Sequence, residues 1–252
     1  MGDKEKLSVK QANKLLYDTI KDNYEKIDGR RSRNLLSWLR NRLEGLSIIV
    51  NEKSVLLDIG CGSGFVIKAA QGLFKRLYGL DISENILKKV SQFADGVICA
   101  DVDFIPLKDE TIDIVVLFSA IHHFYDFRVM LDEIHHVLKK GGILYIDHDL
   151  DKRFAKRFKL LLKIYRRVSR RKDKYISAGI DERIYDLAEF HSDGIDKQEL
   201  EHCLKELGFE IIDSFNHWFG LSRFTNKIFG YKKFCSSSAP LLSIVARKVS
   251  IE

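Results

Sequence analysis

Val55-Leu56-Leu57-Asp58-Ile59-Gly60-Cys61-Gly62-Ser63-Gly64-Phe65 is the stretch whose reading decides the fold. Val55, Leu56 and Leu57 run without a polar break, which suits a short strand buried on both faces. Asp58 stands where such a strand ends. Gly60, Gly62 and Gly64 then let the chain turn sharply and let a ligand approach its backbone. Residues 63–71 have helical character, so a helix start aims its free N–H groups into the same crevice. Strand, glycine turn and helix together are the architecture of a nucleotide-type site at the carboxyl end of a parallel sheet. The spacing here is G-x-G-x-G, not the G-x-G-x-x-G that seats a pyrophosphate. An acid precedes the first glycine by two places, which suits a ligand with a carboxylate and a cationic centre better than one with two phosphates. The bland alternative is a glycine turn that serves geometry alone.

Downstream, the pattern repeats. Arg76 to Asp81 reads as a second strand closing on an acid, and Ser83 caps a helix running to about Phe93, with Glu84 in its first turn. Asp81 lies 17 residues beyond Gly64, near the spacing at which an acid accepts hydrogen bonds from ribose hydroxyls. Gly96 to Asp101 is a third strand, again ending in an acid, and Asp101-Val102 falls on the same crevice edge. Thr111 to Phe118 is the central buried strand. Ser119-Ala120-Ile121-His122-His123-Phe124 follows it, then a helix from about Phe127 to Lys139 that Gly141-Gly142 ends, then a fifth strand from Ile143 to Ile146. Strands alternating with helices give an α/β fold with a doubly wound parallel sheet, and right-handed crossovers bring all the strand tips to one edge.

Ahead of this core, residues 8–28 and 31–44 carry helical spacing, with Gly29 as the stop between them. Tyr17 and Tyr24 either close over a ligand or pack against the sheet or each other. At 252 residues the chain fits one elaborated domain. Four scattered cysteines without a C-x-x-C pair fit a reducing compartment and no zinc site. No apolar run is long enough to span a bilayer, and the polar start carries no secretory signal, so the expected location is cytoplasmic. The net charge of +6 permits an anionic partner without demanding one.

The ordered motifs resemble those of class I S-adenosylmethionine-dependent methyltransferases, over residues 50–150. Asp58-Ile59-Gly60-Cys61-Gly62-Ser63-Gly64 is similar to that family's glycine motif, Gly79-Leu80-Asp81-Ile82-Ser83 to its ribose-binding strand end, and Ala100-Asp101-Val102 to its adenine edge. Phe118 to Phe124, with Leu131 to Ile134 and Val137 to Gly142, resembles the small-molecule branch that includes quinone-biosynthesis C-methyltransferases. Lys140 departs from the proline many relatives carry before the paired glycines. The resemblance implies S-adenosylmethionine as cofactor, S-adenosylhomocysteine as product, and contacts from Asp58, Gly60, Cys61, Gly62, Gly64, Asp81, Ile82, Asp101, Val102 and Ser119. It also implies a seven-stranded, mostly parallel Rossmann-like sheet whose seventh strand is antiparallel and inserted between the fifth and sixth. Phe209 to Phe215 and Leu241 to Ala246 are the candidates for the last two strands, behind a helix from Ile195 to Leu207 that Gly208 stops.

His122 and His123 fall just past the central strand, where the transferred methyl lies in this family, and imidazole can take a proton near neutral pH. They are the substrate-facing candidates, against a structural hydrogen-bonding role. His191 is a third, because relatives return toward the active site there. His135 and His136 read as surface or packing residues. No metal is expected, since an adjacent His-His pair lacks ligand spacing and nearby thiols. Four segments follow: an N-terminal helical cap (1–48), a cofactor-binding core (49–150), a helical insertion (151–195), and a C-terminal helix with the last two strands (196–252). In the insertion, Phe154, Phe158, Leu161, Leu162, Tyr165 and Val168 fall at helical spacing among dense Lys and Arg from 152 to 174. This reads as a lid with its apolar face on the sheet, or as a basic helix lying on an anionic membrane or an acidic partner. Residues 216–238 are aromatic-rich and read as cover for an apolar sheet edge, since no RNA-binding module accompanies them. The leading expectation is methyl transfer to a small, apolar or lipid-like acceptor. The alternatives are an RNA methyltransferase and a cofactor-binding module without turnover. No N-P-P-Y tetrapeptide follows the central strand, which disfavours transfer to adenine or glutamine nitrogen.

Overall fold

The computed structural model describes residues 2–20, 32–50 and 54–249. Tyr24, Gly29 and residues 21–28 of the expected 8–28 helix lie outside the described residues. Seven strands form one sheet in the order β3-β2-β1-β4-β5-β7-β6. They are β1 (Val55–Ile59), β2 (Arg76–Asp81), β3 (Gly96–Cys99), β4 (Ile112–Phe118), β5 (Leu138–Leu150), β6 (Phe209–His217) and β7 (Leu241–Lys248). The first five are parallel, and β7 runs antiparallel between β5 and β6. The strand order reverses beside β1, where β2 leaves on one side and β4 on the other. That reversal opens a crevice at the strand tips.

Each sheet face buries its own core. On one face, Leu57, Ile59, Val115 and Leu117 meet Met130, Leu131 and Ile134 of α5 (Phe127–Val137) and Leu200 and Leu204 of α10 (Lys197–Glu206). On the other, Leu56, Ile114 and Val116 meet α2 (Arg33–Val50) through Trp38, Leu39 and Leu43, together with α3 (Phe65–Ala70) and α4 (Glu84–Val90). The Ser83 hydroxyl accepts from the Ile86 amide and caps α4 as the sequence suggests. The second N-terminal helix runs to Val50, beyond the expected end at 44 and across the 48/49 boundary, because Leu46 continues its buried stripe. α1 (Gly2–Ile20) reaches the sheet-face core through Tyr17 and packs mainly elsewhere. Ala12, Leu16 and Ile20 join Tyr175, Ile180 and Ala188 of the insertion in a small separate core.

One expectation is corrected around β5. The preceding helix ends at Val137, not at Gly141-Gly142, because Leu138 is already extended and pairs with Ile112. Gly141, at φ 76, instead serves a register shift between that pair and Ile114–Ile143. A second shift separates Asp147 and Asp149, with His148 at φ 69. Strand alternation alone would send both acids to one face. The bulge sends them to opposite faces. Asp147 joins Tyr145 on the Trp38 side, and Asp149 reaches the turn at Ile121 and His122 on the other.

Asp147 is fully buried and accepts from the Tyr145 hydroxyl (2.6 Å), His148 Nδ1 (2.5 Å) and His217 Nε2 (2.9 Å). Burial alone would raise its pKa, but the two imidazoles hold it well below the usual carboxylate range. Asp147→Ala leaves three buried donors without their acceptor and is expected to cost about 3–5 kcal/mol. A urea unfolding midpoint unchanged from the parent contradicts this.

The insertion is not one continuous helix. α6 (Lys152–Arg157), α7 (Lys159–Ser169), α8 (Arg171–Ser177) and α9 (Glu182–Ala188) follow in turn, with breaks at Phe158 and at Arg170, where φ is 47. Phe154 turns inward, whereas Leu161, Tyr165 and Val168 are exposed, so the expected apolar face on the sheet is absent. The aromatics of 216–238 stack inward in part: Phe219 on Trp38, Trp218 on Phe229 and against Phe154. That segment also holds α11 (Arg223–Phe229).

Candidate functional site

A slot crosses the tips of β1, β2, β3 and β4. Gly60, Gly62, Asp81, Ile82, Asp101, Val102 and Ser119 line it, together with Lys10, Asn13 and Tyr17 of α1 and with His123 and Phe124. Gly60 (φ 66) and Gly62 (φ 49) adopt the left-handed conformation that favours glycine. A Cβ on Gly60 would stand 3.1 Å from the Ala120 Cβ, so the slot depends on the bare backbone there. Asp81 accepts from the Gly62 amide (3.0 Å) and the Ser83 amide (2.9 Å). Burial raises its pKa, and these backbone donors partly offset that. The result is a carboxylate fixed at the floor of a slot with apolar walls. A nucleoside fits it chemically: its base faces need apolar cover and its ribose hydroxyls need an acceptor.

The remaining residues singled out in the glycine motif lie behind the slot. Asp58 is buried within β1, opposite Gly79 and Val116. The Cys61 thiol packs against Gly79, and burial pushes its pKa well up. Gly64 is backed by Phe93: a Cβ would approach its ring to 2.7 Å. These three shape the turn. At the far end of the slot, Lys10 bridges Asp101 and Asp103, and Lys6 pairs with Asp103 at 2.7 Å. α1 is thereby tied across the slot as a strap.

Behind Ser119 a second chamber of about 520 Å³ opens, a volume within the range of small-molecule sites. Ser119, at φ 53, lines both spaces. The chamber is walled by His122, His148, Leu150 and His191, by Leu162, Tyr165 and Arg166 of α7, by Arg171, Tyr185 and Glu189, and by Leu221 and Leu241.

The two adjacent histidines are divided between these spaces. His122 Nδ1 lies 2.6 Å from Asp149 Oδ1. A carboxylate only accepts, so Nδ1 carries a proton, and in the neutral ring Nε2 holds the lone pair. Nε2 lies 3.8 Å from Glu189 Oε2. The Asp149 carboxylate also receives the Ile121 and His122 amides and so fixes the whole turn. Burial lowers the His122 pKa, but the Asp149 hydrogen bond and the charges of Asp149 and Glu189 outweigh it, and the net shift is upward. His123 is set differently. Its Nδ1 meets the Ala188 carbonyl and its Nε2 the Tyr17 hydroxyl, both at 2.7 Å. Burial and the neighbouring His122 push its pKa down to about 4, so it is a neutral positioning group at pH 7. His191 lines the chamber, and its backbone amide donates to the His122 carbonyl at 2.9 Å.

Two donor clusters among the described residues have metal-like spacing: His122 with His123 and Glu189, and Asp147 with His148 and His217, each within 4.8 Å. In the first, both His123 nitrogens already face protein partners, which leaves a two-donor set. In the second, Asp147 Oδ1 takes a hydrogen bond from each imidazole. Sequence reasoning missed Asp149, Glu189, Lys10 and Asn13. Asp149 had a signal, since it is one more acid closing a strand, as Asp58, Asp81 and Asp101 were read to be. Nothing local marks Lys10 or Asn13, whose positions depend on α1 crossing the slot.

Comparison with known proteins agrees with this geometry. A methyltransferase-domain family model matches residues 57–146. An uncharacterised protein of Methanocaldococcus jannaschii is 26% identical over 98% of this chain and 93% of its own length. A demethylmenaquinone methyltransferase of Lysinibacillus sphaericus is 28% identical over 51% of this chain, which spans 58% of that enzyme. Among solved structures, a SAM-dependent methyltransferase from Thermotoga maritima superposes with a TM-score of 0.60 at 17% identity, covering 92% of this chain and 99% of its own. Residues 57–146 thus match the methyltransferase-domain family, and the sheet order with its inserted antiparallel strand is the fold that this chain shares with a SAM-dependent methyltransferase.

Proposed function

We propose that the protein transfers a methyl group from S-adenosylmethionine to a small acceptor seated in the chamber behind Ser119, with His122 as the base that takes the acceptor's proton. The observation that carries this reading is the pairing of two spaces through one residue. Ser119 lines both the glycine-lined slot and the 520 Å³ chamber, and His122 faces the chamber. When bound, the sulfonium cofactor supplies an already activated methyl. The chain's own residues have the remaining tasks: to align an acceptor atom, to exclude water and to hold a proton. Asp81, Ile82 and Val102 would hold the ribose and base, and Asp101, partnered with Lys10, stands at the adenine end. Asp149 keeps His122 in the tautomer that presents Nε2 to the chamber. Glu189 stabilises the imidazolium that forms.

Purified protein incubated with methyl-labelled cofactor and a metabolite extract, in chelator-treated buffer, is expected to place label in a low-molecular-mass product. No transfer, or transfer restored only by a divalent ion, contradicts the proposal. The pH profile follows from the charge on His122. The base must be neutral, so kcat/KM falls as pH drops through the raised pKa, with its inflection above the ordinary 6.5. Asp149→Asn removes the charge that favours the imidazolium and is expected to move that inflection down. An inflection that stays put in this variant assigns the titration to another group.

A further inference from the structure

The basic character of this chain is local. Of its 42 Lys and Arg, 12 lie between Lys152 and Lys174, where Asp173 is the single acid, and the remaining 229 residues are net negative by five. The middle of that segment is α7. Leu160, Leu161, Ile164 and Val168 on it are 54 to 76% exposed. At 3.6 residues per turn these four fall within an arc of about 100°. Of the three α7 residues that wall the acceptor chamber, Leu162 and Arg166 lie on the opposite side, and Tyr165 lies between them and the stripe. The stripe therefore faces away from the chamber, and movement of α7 onto the chamber would not cover it. Lys163 and Arg167 run along one edge of it and are exposed.

We infer that α7 docks flat on an anionic membrane surface, with the Leu160–Val168 stripe in the headgroup–acyl boundary and the surrounding Lys and Arg on lipid phosphates. Exposed aliphatic side chains flanked by cations are what such a surface selects. A nucleic acid would use the cations but has no use for four aliphatics, since single strands are held by aromatic stacking. A second copy of this chain would set two strongly cationic segments face to face. No helix among the described residues is long and apolar enough to cross a membrane, so the contact is peripheral. With the inner side of α7 walling the chamber, docking would set the acceptor entrance beside the lipid surface.

The test is co-sedimentation of the full chain with phosphatidylcholine vesicles, with and without phosphatidylglycerol, at low and high salt. Binding is expected to rise about tenfold or more with the anionic lipid and to fall with salt. Leu160→Ser combined with Val168→Ser is expected to lower vesicle partitioning about tenfold, with cofactor affinity unchanged as the measure of an intact fold. Absence of vesicle binding, full binding by the double variant, or a salt-sensitive shift of bulk tRNA that the double variant retains overturns the inference. Each of these outcomes leaves the methyl-transfer proposal standing, because the labelled-cofactor assay needs no vesicles.

Discussion

His122→Ala is expected to lower transfer from methyl-labelled cofactor by about 10²–10³ in kcat, with cofactor affinity within about twofold of the parent. The split follows from placement. His122 faces the chamber and stays out of the slot lining, so its removal takes away proton acceptance without touching the nucleoside contacts. Asp149→Asn should reproduce part of the loss, because the turn keeps an acceptor of the same shape but loses the charge opposite the imidazolium. A cofactor affinity that falls in step with kcat would show that the Ile121–His123 turn had collapsed. A His122→Ala variant that retains full kcat would remove the base from the mechanism, leaving an acceptor that reacts without losing a proton.

The second large effect lies in the slot. Asp81→Ala is expected to weaken S-adenosylmethionine binding by about 10²–10⁴. Two charge-assisted hydrogen bonds to ribose hydroxyls, at about 1.5–3 kcal/mol each, carry that loss at roughly 1.4 kcal/mol per decade. Asp81 also orders the glycine turn through the Gly62 and Ser83 amides. Asp81→Asn is therefore the companion variant: it keeps one acceptor for the turn, and calorimetry should place it between Ala and the parent. Equal affinity of all three proteins would mean that the ribose does not rest on Asp81.

Much of this fold was legible because its elements are locally consistent. The acid-closed strands at 55–59 and 76–81, the Ser83 cap and the central strand through Phe118 each follow from apolar runs and turn chemistry. The antiparallel seventh strand came from family resemblance. What stayed hidden depends on register and long-range packing. The extra residue at His148 that turns Asp149 toward His122 leaves no mark in the sequence, because a bulge changes pairing without changing composition. The stripe on α7 shows the reverse problem. Helical spacing was plain, but periodicity says that a helix has an apolar face and not what that face meets. Tyr17 was read as closing over a ligand or packing against the sheet or Tyr24; it lines the slot, meets His123 and packs against the core on the Trp38 side of the sheet.

The central claim is that one ligand lies across the strand tips with its reactive end at Ser119. A crystal structure with S-adenosylhomocysteine tests it directly. The account predicts both ribose hydroxyls within hydrogen-bond distance of the Asp81 carboxylate, the base between Ile82 and Val102, and the sulfur turned toward Ser119 and the chamber. A nucleoside lodged in the chamber against His148 and Tyr185, or a slot that stays closed by α1 at saturating ligand, would contradict it.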